Sequence, residues 1–343
     1  MPRVRRSDCS LPGISRRRRG RGFGYIDADG ERLADPDLLE RIRGLGIPPA
    51  WRDVWICADP CGHLQATGID AAGRKQYLYH EAWRARRDQE KFDDMVRFAH
   101  ALPALRERVA ADLADGGDPT RVRVLACAVR LLDRGFFRVG SEEYTGSHGL
   151  ATLHKAHVTL GDDGEMVFDY PAKSGARRVQ AVTDPEAAAV IARLKRRRSG
   201  GDGLLAYRER REWRDLRSDD VNEYIKDAAG EDFSAKDFRT WSATVLAAVA
   251  LAGEAAASKA ARRRAITRAV KYTAHHLGNT PAVCRSSYVD PRVFDAFRSG
   301  LVISPVLGGS EDAPPIGRRA VEEAVLDLIE ERDGAPGVKR VAA

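Results

Sequence analysis

The stretch AKDFRTWSATVLAAVALA, residues 235–252, predicts a buried helix inside a mainly helical domain. Alanine, valine and leucine fill most of it, which is typical of a helix that packs on several sides. Arg239 is the exception within this run. An arginine on such a helix needs a partner or a ligand, because burying an unpaired charge is costly. Arg239 is therefore a candidate site residue.

The chain around this helix predicts more helices and one small sheet. The periodicity of PTRVRVLACAVRLLDRG, residues 119–135, predicts a helix with Gly135 at its C-cap. The pattern of AHVTLGDDGEMVFDYPAKSGARRVQAV predicts a sheet with two hairpins, and Pro-Ala-Lys-Ser-Gly, residues 171–175, forms the second tip. Further helices are expected at residues 218–229, at 254–277 and near the C-terminus.

The first part of the chain favours a different, sheet-containing domain. DPDLLERIRG, residues 35–44, reads as a short helix with an aspartate N-cap, proline at the first helical position and a final glycine. WRDVWICA, HLQATGI and GRKQYLYH then predict strands. We expect an α+β protein with a mixed N-terminal domain at residues 23–90 and a mainly helical domain with a small inserted sheet at 91–343.

The formal net charge of +7 resides in the first 22 residues, which hold eight arginines against one acid, Asp8. The rest of the chain is formally neutral, so net charge alone does not make the folded body a nucleic-acid binder. Rich in arginine, glycine and serine, residues 1–22 are expected to be a disordered tail. Such a tail either contacts phosphates without sequence preference or is a solvated arm.

Other classes of protein find little support in the sequence. No apolar run approaches a membrane span and no secretory signal is present, so we expect a cytoplasmic protein. Among the five cysteines, Cys57 and Cys61 with His63 form the only close cluster, without a second ligand pair, which favours reduced thiols over zinc. Phosphate-binding glycine loops, HExxH and clustered carboxylates are missing, so no metal and no cofactor is expected.

What remains is a set of polar groups at turns and helix ends: Arg138 in FFRVG, Lys173 in PAKSG, Arg239, Asn279 and Tyr288. Each has a structural explanation of its own. Arg138 can cap a helix, Lys173 can be a solvated turn lysine, and Asn279 can end a helix after Gly278. Tyr288 can be a half-buried packing ring.

Together, FFRVG, PAKSG, KDFRTWSAT and LGNTPAVCRSSY resemble, in order, the catalytic segments of type IB DNA topoisomerases of the compact poxviral and bacterial kind. QATGIDAAGRKQYLYH resembles the DNA-facing part of that family's N-terminal domain. The resemblance implies a monomer that clamps double-stranded DNA near the nucleoid and relaxes supercoils of both signs without ATP or metal.

The resemblance also implies residue roles. Tyr288 would attack a phosphodiester to form a 3′-phosphotyrosyl link, and Arg138 and Arg239 would hold the nonbridging oxygens. Lys173 would protonate the departing 5′-oxygen. Poxviral and nuclear relatives have histidine where this chain has Asn279, whereas the bacterial branch has asparagine, so this side chain would act only as a hydrogen-bond donor.

Contacts to the DNA duplex are likewise expected from the resemblance. In the N-terminal domain the expected contacts are Arg74, Lys75, Gln76, Tyr77 and Tyr79, although their alternation also suits any amphipathic edge strand. Tyr144 would touch the DNA backbone unless it packs in the core, and Lys236, one turn before Arg239, would face the same phosphates unless it is simply solvated.

Two other classes remain open at this point. Tyrosine recombinases share a similar set of arginines, lysine and tyrosine, but they usually carry a helical DNA-binding domain in place of the mixed N-terminal one. A basic protein that coats DNA through the arginine tail would bind DNA without cutting it.

Overall fold

The computed structural model describes residues 3–114, 117–141, 146–254, 258–304, 319–332 and 334–340. The chain divides into two compact units, Met1–Phe92 and Asp93–Ala343, and the division falls inside one long helix. The sequence placed this boundary near residue 90. Within the described residues, no helix is long and apolar enough to cross a membrane.

The first unit is built on one antiparallel sheet of five strands in the order β2-β1-β3-β4-β5. Its core consists of Ile14, Ile42, Val54, Ile56 and Ala66. The strands are β1 Ile14–Arg19, β2 Gly22–Ile26, β3 Arg52–Ile56, β4 Leu64–Ile69 and β5 Lys75–Tyr79, and the helices are α1 Pro36–Gly44 and the start of α2 Glu81–Ala114. The three strands and the short helix expected in this region are confirmed.

The expectation of a disordered tail over residues 1–22 is wrong, because residues 14–19 form β1 and the backbones of Arg5 and Ser7 are hydrogen-bonded to Cys61 and His63. Ile14 is 2% exposed in the sheet core, and β1 pairs with both β2 and β3. Four consecutive arginines, residues 16–19, hide the alternation of this strand in the sequence. Arg16 points back and donates hydrogen bonds to the carbonyls of Pro48 and Trp51 at 3.0 and 2.7 Å. The four arginines therefore belong to a folded strand.

The second unit is mainly helical, with a three-stranded sheet of order β6-β7-β8, a small hairpin formed by β9 and β10, and a two-stranded antiparallel sheet formed by β11 and β12. Large aromatic side chains fill its core, among them Trp241, Phe98, Phe137, Phe168 and Phe238. After α2 the elements are α3 Arg121–Gly135, β6 Val158–Leu160, β7 Glu165–Pro171, β8 Arg177–Thr183, α4 Pro185–Arg196, β9 Ala206–Glu209, β10 Glu212–Asp215, α5 Ser218–Ala229, α6 Ala235–Ala252, α7 Lys259–Leu277, α8 Pro281–Ser287, α9 Pro291–Arg298, β11 Leu301–Ile303, α10 Arg319–Ile329 and β12 Val338–Arg340. The α+β class is confirmed.

One helix starts later than expected. The sequence placed the start of α7 at Glu254, but the helix begins at Lys259 with Ser258 as its N-cap. The Ser258 side chain accepts a hydrogen bond from the backbone N–H of Ala261 at 3.1 Å. A capping hydroxyl satisfies an otherwise unpaired helix donor, which favours a helix start directly after the serine.

The end of α3 also differs from the expected glycine cap. Gly135 is the last helical residue, and Phe136 takes the left-handed conformation with φ of 54°. Gly135 is required by packing, because a Cβ there would lie 2.3 Å from the Phe137 ring. A left-handed phenylalanine costs about 1–2 kcal/mol, and its carbonyl oxygen accepts a hydrogen bond from Arg239. The strained turn thus lies at the candidate site.

Candidate active site

Arg239 is the buried centre of the candidate site. It is 4% exposed on α6, and its two terminal nitrogens donate to the carbonyl of Phe136 and, at 3.0 Å, to that of Leu277. These bonds connect the ends of α3 and α7 through one guanidinium. The Nε–H of Arg239 is buried and has no hydrogen-bond partner among the described residues. The group is thus anchored and still has a free donor.

Tyr288 lies beside this guanidinium at the end of α8. Its ring centre is 5.3 Å from Cζ of Arg239, and its backbone N–H donates to the carbonyl of Cys284 at 3.0 Å. The hydroxyl of Thr244 on α6 donates to the carbonyl of Thr240 at 2.9 Å, lies 3.4 Å from the carbonyl of Tyr288 and accepts from the N–H of Asp290 at 3.1 Å. Tyr288 is only partly buried. Its backbone is therefore fixed by α6.

Arg138 and Asn279 form the second pair of the site. The guanidinium of Arg138 donates to the side-chain oxygen of Asn279. The amide nitrogen of Asn279 is buried and has no hydrogen-bond partner among the described residues. Gly278 ends α7 in the left-handed conformation, with a φ of 61°, and Asn279 is the first residue after this turn. One side of the amide is occupied and the donor side is available.

Arg178 was missed in the sequence analysis, although it contacts the same turn. From β8 it donates to the carbonyls of His276 and, at 3.3 Å, His275 in the last turn of α7, where carbonyls lack the helical N–H partners of a helix interior. A Cβ at Gly278 would lie 2.7 Å from the Arg178 guanidinium. In the alternation of ARRVQAV it occupies an inward position with Gln180 and Val182. A charged residue at an inward position of a strand is the signal that could have identified it.

Lys173 lies at the exposed tip of the β7–β8 hairpin, as the sequence predicted. Gly175 closes the tip with a φ of 73°. Among the described residues, Lys173 makes no hydrogen bond or ion pair with the other four site residues. Arg178, on the same hairpin and close to its tip, links the hairpin to the end of α7. The structure thus brings Arg138, Arg239, Asn279 and Tyr288 together and leaves Lys173 on a neighbouring loop.

The remaining candidates in the second unit give less information. Lys236 is exposed one turn before the buried Arg239. Tyr144 lies outside the described residues.

In the first unit, the expected DNA contacts fall on two faces of β5. Lys75, Tyr77 and Tyr79 share the exposed face, where the two tyrosine rings stack with centres 6.2 Å apart. Gln76 is on the other face and donates to Asp70 at 2.9 Å, and Arg74 forms an ion pair with the same carboxylate at 2.8 Å. The exposed face offers a cation and two rings, whereas Arg74 and Gln76 are already engaged by Asp70.

The cysteine and histidine cluster of the first unit makes ordinary protein contacts. Nδ1 of His63 accepts from the backbone N–H of Ser7 at 2.9 Å. Across the described residues, no group of three or more histidine, cysteine, aspartate or glutamate side chains is arranged to hold a metal ion.

Electrostatics distinguish Arg239 from its neighbours. Burial, and then the positive charge of Arg138, lower the pKa of Arg239 to about 10. Burial also lowers the pKa of Arg178, and Arg138 adds to that effect. Three guanidinium groups thus repel one another at one place, and the Tyr288 hydroxyl group opposes the lowering of the Arg239 pKa by its charge and by a side-chain hydrogen bond. Such a site favours an anion, since a negative ligand would relieve both burial and repulsion.

The second unit is thus a helical domain with an inserted sheet, in which a tyrosine lies against a buried arginine and a second arginine pairs with an asparagine. Residues 80–297 match the family described as eukaryotic DNA topoisomerase I, catalytic core, and residues 22–70 match the bacterial DNA topoisomerase IB N-terminal domain. The chain is 32% identical over 296 residues to DNA topoisomerase 1B of Acanthamoeba polyphaga mimivirus, covering 81% of this chain and 85% of the viral one. The chain belongs to the type IB DNA topoisomerase family.

Proposed function

We propose that this protein relaxes supercoiled DNA of both signs by cutting one strand, letting it rotate about the intact strand and resealing it. The observation that carries the proposal is the contact of Tyr288 with the buried, anion-seeking guanidinium of Arg239. A single polypeptide that holds duplex DNA as a clamp, through both of its units, is part of the same proposal.

In the proposed reaction the hydroxyl oxygen of Tyr288 forms a bond to phosphorus and the bond from phosphorus to the 5′-oxygen breaks. The product is a 3′-phosphotyrosyl link and a free 5′-hydroxyl. Arg239, anchored by two carbonyls, presents Nε–H to one nonbridging oxygen. Arg138 serves the phosphate as a second cation, and Asn279 adds its unpartnered amide N–H.

The departing 5′-oxygen needs a proton, and we assign its delivery to Lys173 with assistance from Arg138. The exposed hairpin tip suits a group that meets its target only when DNA is bound. One phosphodiester is exchanged for another ester of similar energy, and supercoiling drives the rotation. The reaction therefore requires neither ATP nor metal.

The test is relaxation of positively and negatively supercoiled plasmid in EDTA without ATP. Tyr288→Phe should bind DNA as well as the wild type and relax none of it. The matched control is Tyr272→Phe, which removes a hydroxyl from an exposed ring on α7 and should relax plasmid normally.

Other results would exclude the proposal. A wild-type protein that retards the plasmid without relaxing it would favour a DNA-coating protein. Recombined products between two substrate duplexes would favour a tyrosine recombinase.

A further inference from the structure

A concave cluster of cations lies at the start of α7, at the opposite end of that helix from Asn279. We call it the α7 basic pocket. It encloses about 690 Å³ and is lined by Lys259, Arg262, Arg263, Ile266, Thr267, Arg285 and Arg298. Five of these seven residues are cations, contributed by α7, α8 and α9, and none is an acid.

The cations of this pocket differ in how they are paired within the described residues. Arg298 forms an ion pair with Asp295, and the guanidinium of Arg262 donates to the carbonyl of Arg298 at 2.6 Å. The guanidinium of Arg285 lies 5.6 Å from the Phe294 ring centre. Lys259 and Arg263 are exposed and have no ion-pair partner among the described residues.

The position of these cations works against the helix that carries them. The N-terminal end of a helix is partly positive, so cations there are unfavourable. Lys259, Arg262 and Arg263 also stand three and four residues apart, where like charges repel. The first turn of α7 contains no acid, whereas those of α1, α4, α5 and α6 do. An anion bound in the pocket would relieve both effects.

We propose that the α7 basic pocket binds backbone phosphates of duplex DNA, separate from the phosphodiester that is cut; this inference rests on the proposed function above. Cations on three helices around one cavity suit a series of phosphate groups, which a DNA strand supplies. The phosphates belong either to a flank of the cut duplex or to a second duplex segment.

The experiment measures the salt dependence of DNA binding by the full-length protein carrying Tyr288→Phe, in which no cutting is expected. The pocket variant adds Lys259→Ala and Arg263→Ala. The matched control adds Arg196→Ala and Arg198→Ala, which removes two exposed cations at the end of α4. One probe is a duplex of about 12 base pairs, or about 40 Å at 3.4 Å per pair, and the other is about three times longer.

We expect the pocket variant to reduce the slope of log affinity against log salt by about 2, at about 0.9 per lost phosphate contact. The control should leave that slope as it was. A reduction with both probes would place the phosphates close to the cut site on the same duplex. A reduction seen with the longer probe alone would place the phosphates on a distant flank of the cut duplex. A reduction seen only when a second duplex is added would place the phosphates on that second duplex.

An unchanged slope with every probe, or an equal reduction in the control variant, would overturn the proposal. Without DNA, the pocket variant should also melt at a higher temperature, because the like charges at the helix start are gone. A lower melting temperature would contradict the argument from helix electrostatics. Failure of the wild type to relax plasmid would reject the proposed function alone, since these binding measurements use a protein that is not required to cut.

Discussion

The guanidinium carbon of Arg239 lies 5.3 Å from the centre of the Tyr288 ring. The arginine is 4% exposed and has carbonyl oxygens as its hydrogen-bond acceptors. A charge in this position contributes little to folding, because its burial is costly and neutral carbonyls compensate it only in part. Its value is realised when negative charge develops next to the tyrosine.

Arg239→Lys should slow DNA cleavage by about 10²–10³-fold at neutral pH, since one ammonium cannot replace several fixed donors. Burial lowers the pKa of both side chains, but the reference pKa of lysine is already lower than that of arginine. A buried lysine therefore loses its charge at a lower pH. The variant should therefore lose its remaining activity as pH rises above neutrality. In the wild type, loss of the Arg239 charge is expected only above pH about 10. Single-turnover cleavage of an excess-enzyme complex across pH would measure both.

A wild-type-like rate for Arg239→Lys at pH 7 would contradict this assignment. Lys236→Arg, a cation exchange at an exposed position of the same helix, is the matched control and should change the cleavage rate little.

Asn279→Asp separates the two functions of the amide. The aspartate keeps an oxygen for Arg138 but has no N–H to offer to the phosphate. We expect a cleavage rate lower by about 10²-fold or more, as for loss of one donor in a transition state. Asn279→His restores a donor and should recover part of the rate. An Asn279→Asp protein that cleaves normally would show that only the contact with Arg138 matters.

Arg178→Met should lower the free energy of unfolding by roughly 1–3 kcal/mol, because it removes the side-chain donor to the carbonyl of His276 at the end of α7. It should also slow cleavage, since Arg178 joins the Lys173 hairpin to the Asn279 turn. Arg177→Met is the control on the same strand. That residue pairs with Asp169 at the surface, and its loss should change stability by less than about 1 kcal/mol. Equal effects of the two variants in denaturant titrations would refute the assignment.

The free energy of unfolding should decrease in mild acid, because His157 resists protonation in the folded protein. Burial, and then His148 and His154, lower the pKa of His157 from its usual 6.5, while Asp169 opposes the shift. The unfolded chain therefore binds a proton more readily below pH 6.5, and the folded protein loses stability as pH decreases. His157→Asn keeps an acceptor for the backbone N–H of His154. The variant should show a shallower loss of unfolding free energy between pH 6.5 and 5, and an unchanged slope would contradict this account.

The sequence predicted helices whose cap or periodicity is local. Helices α5 and α6 have the expected bounds, because their ends and apolar faces are encoded within a few residues. Ile14 shows the limit: the strand that carries it pairs with β3, far along the chain, and the neighbouring arginines conceal its alternation. Pairing partners at long range are not encoded locally.

The site was predicted to a similar extent. Arg239 could be identified because a charge within an apolar helix is unusual in any fold. The contact of Arg138 with Asn279 joins residues 141 positions apart and depends on how α3 and α7 end. The left-handed conformation of Phe136 could not be foreseen, since packing around Gly135 decides it.

Helix α7 sets a distance. Its 19 residues span about 28 Å, which equals the rise of about eight base pairs. Main-chain hydrogen bonds resist stretching, so Lys259 and Leu277 are held at a fixed distance at the two ends of the helix. One residue inserted between them would lengthen the helix by about 1.5 Å and rotate one end by about 100° relative to the other. After such a change, the two ends of α7 could no longer contact the same two phosphates at once.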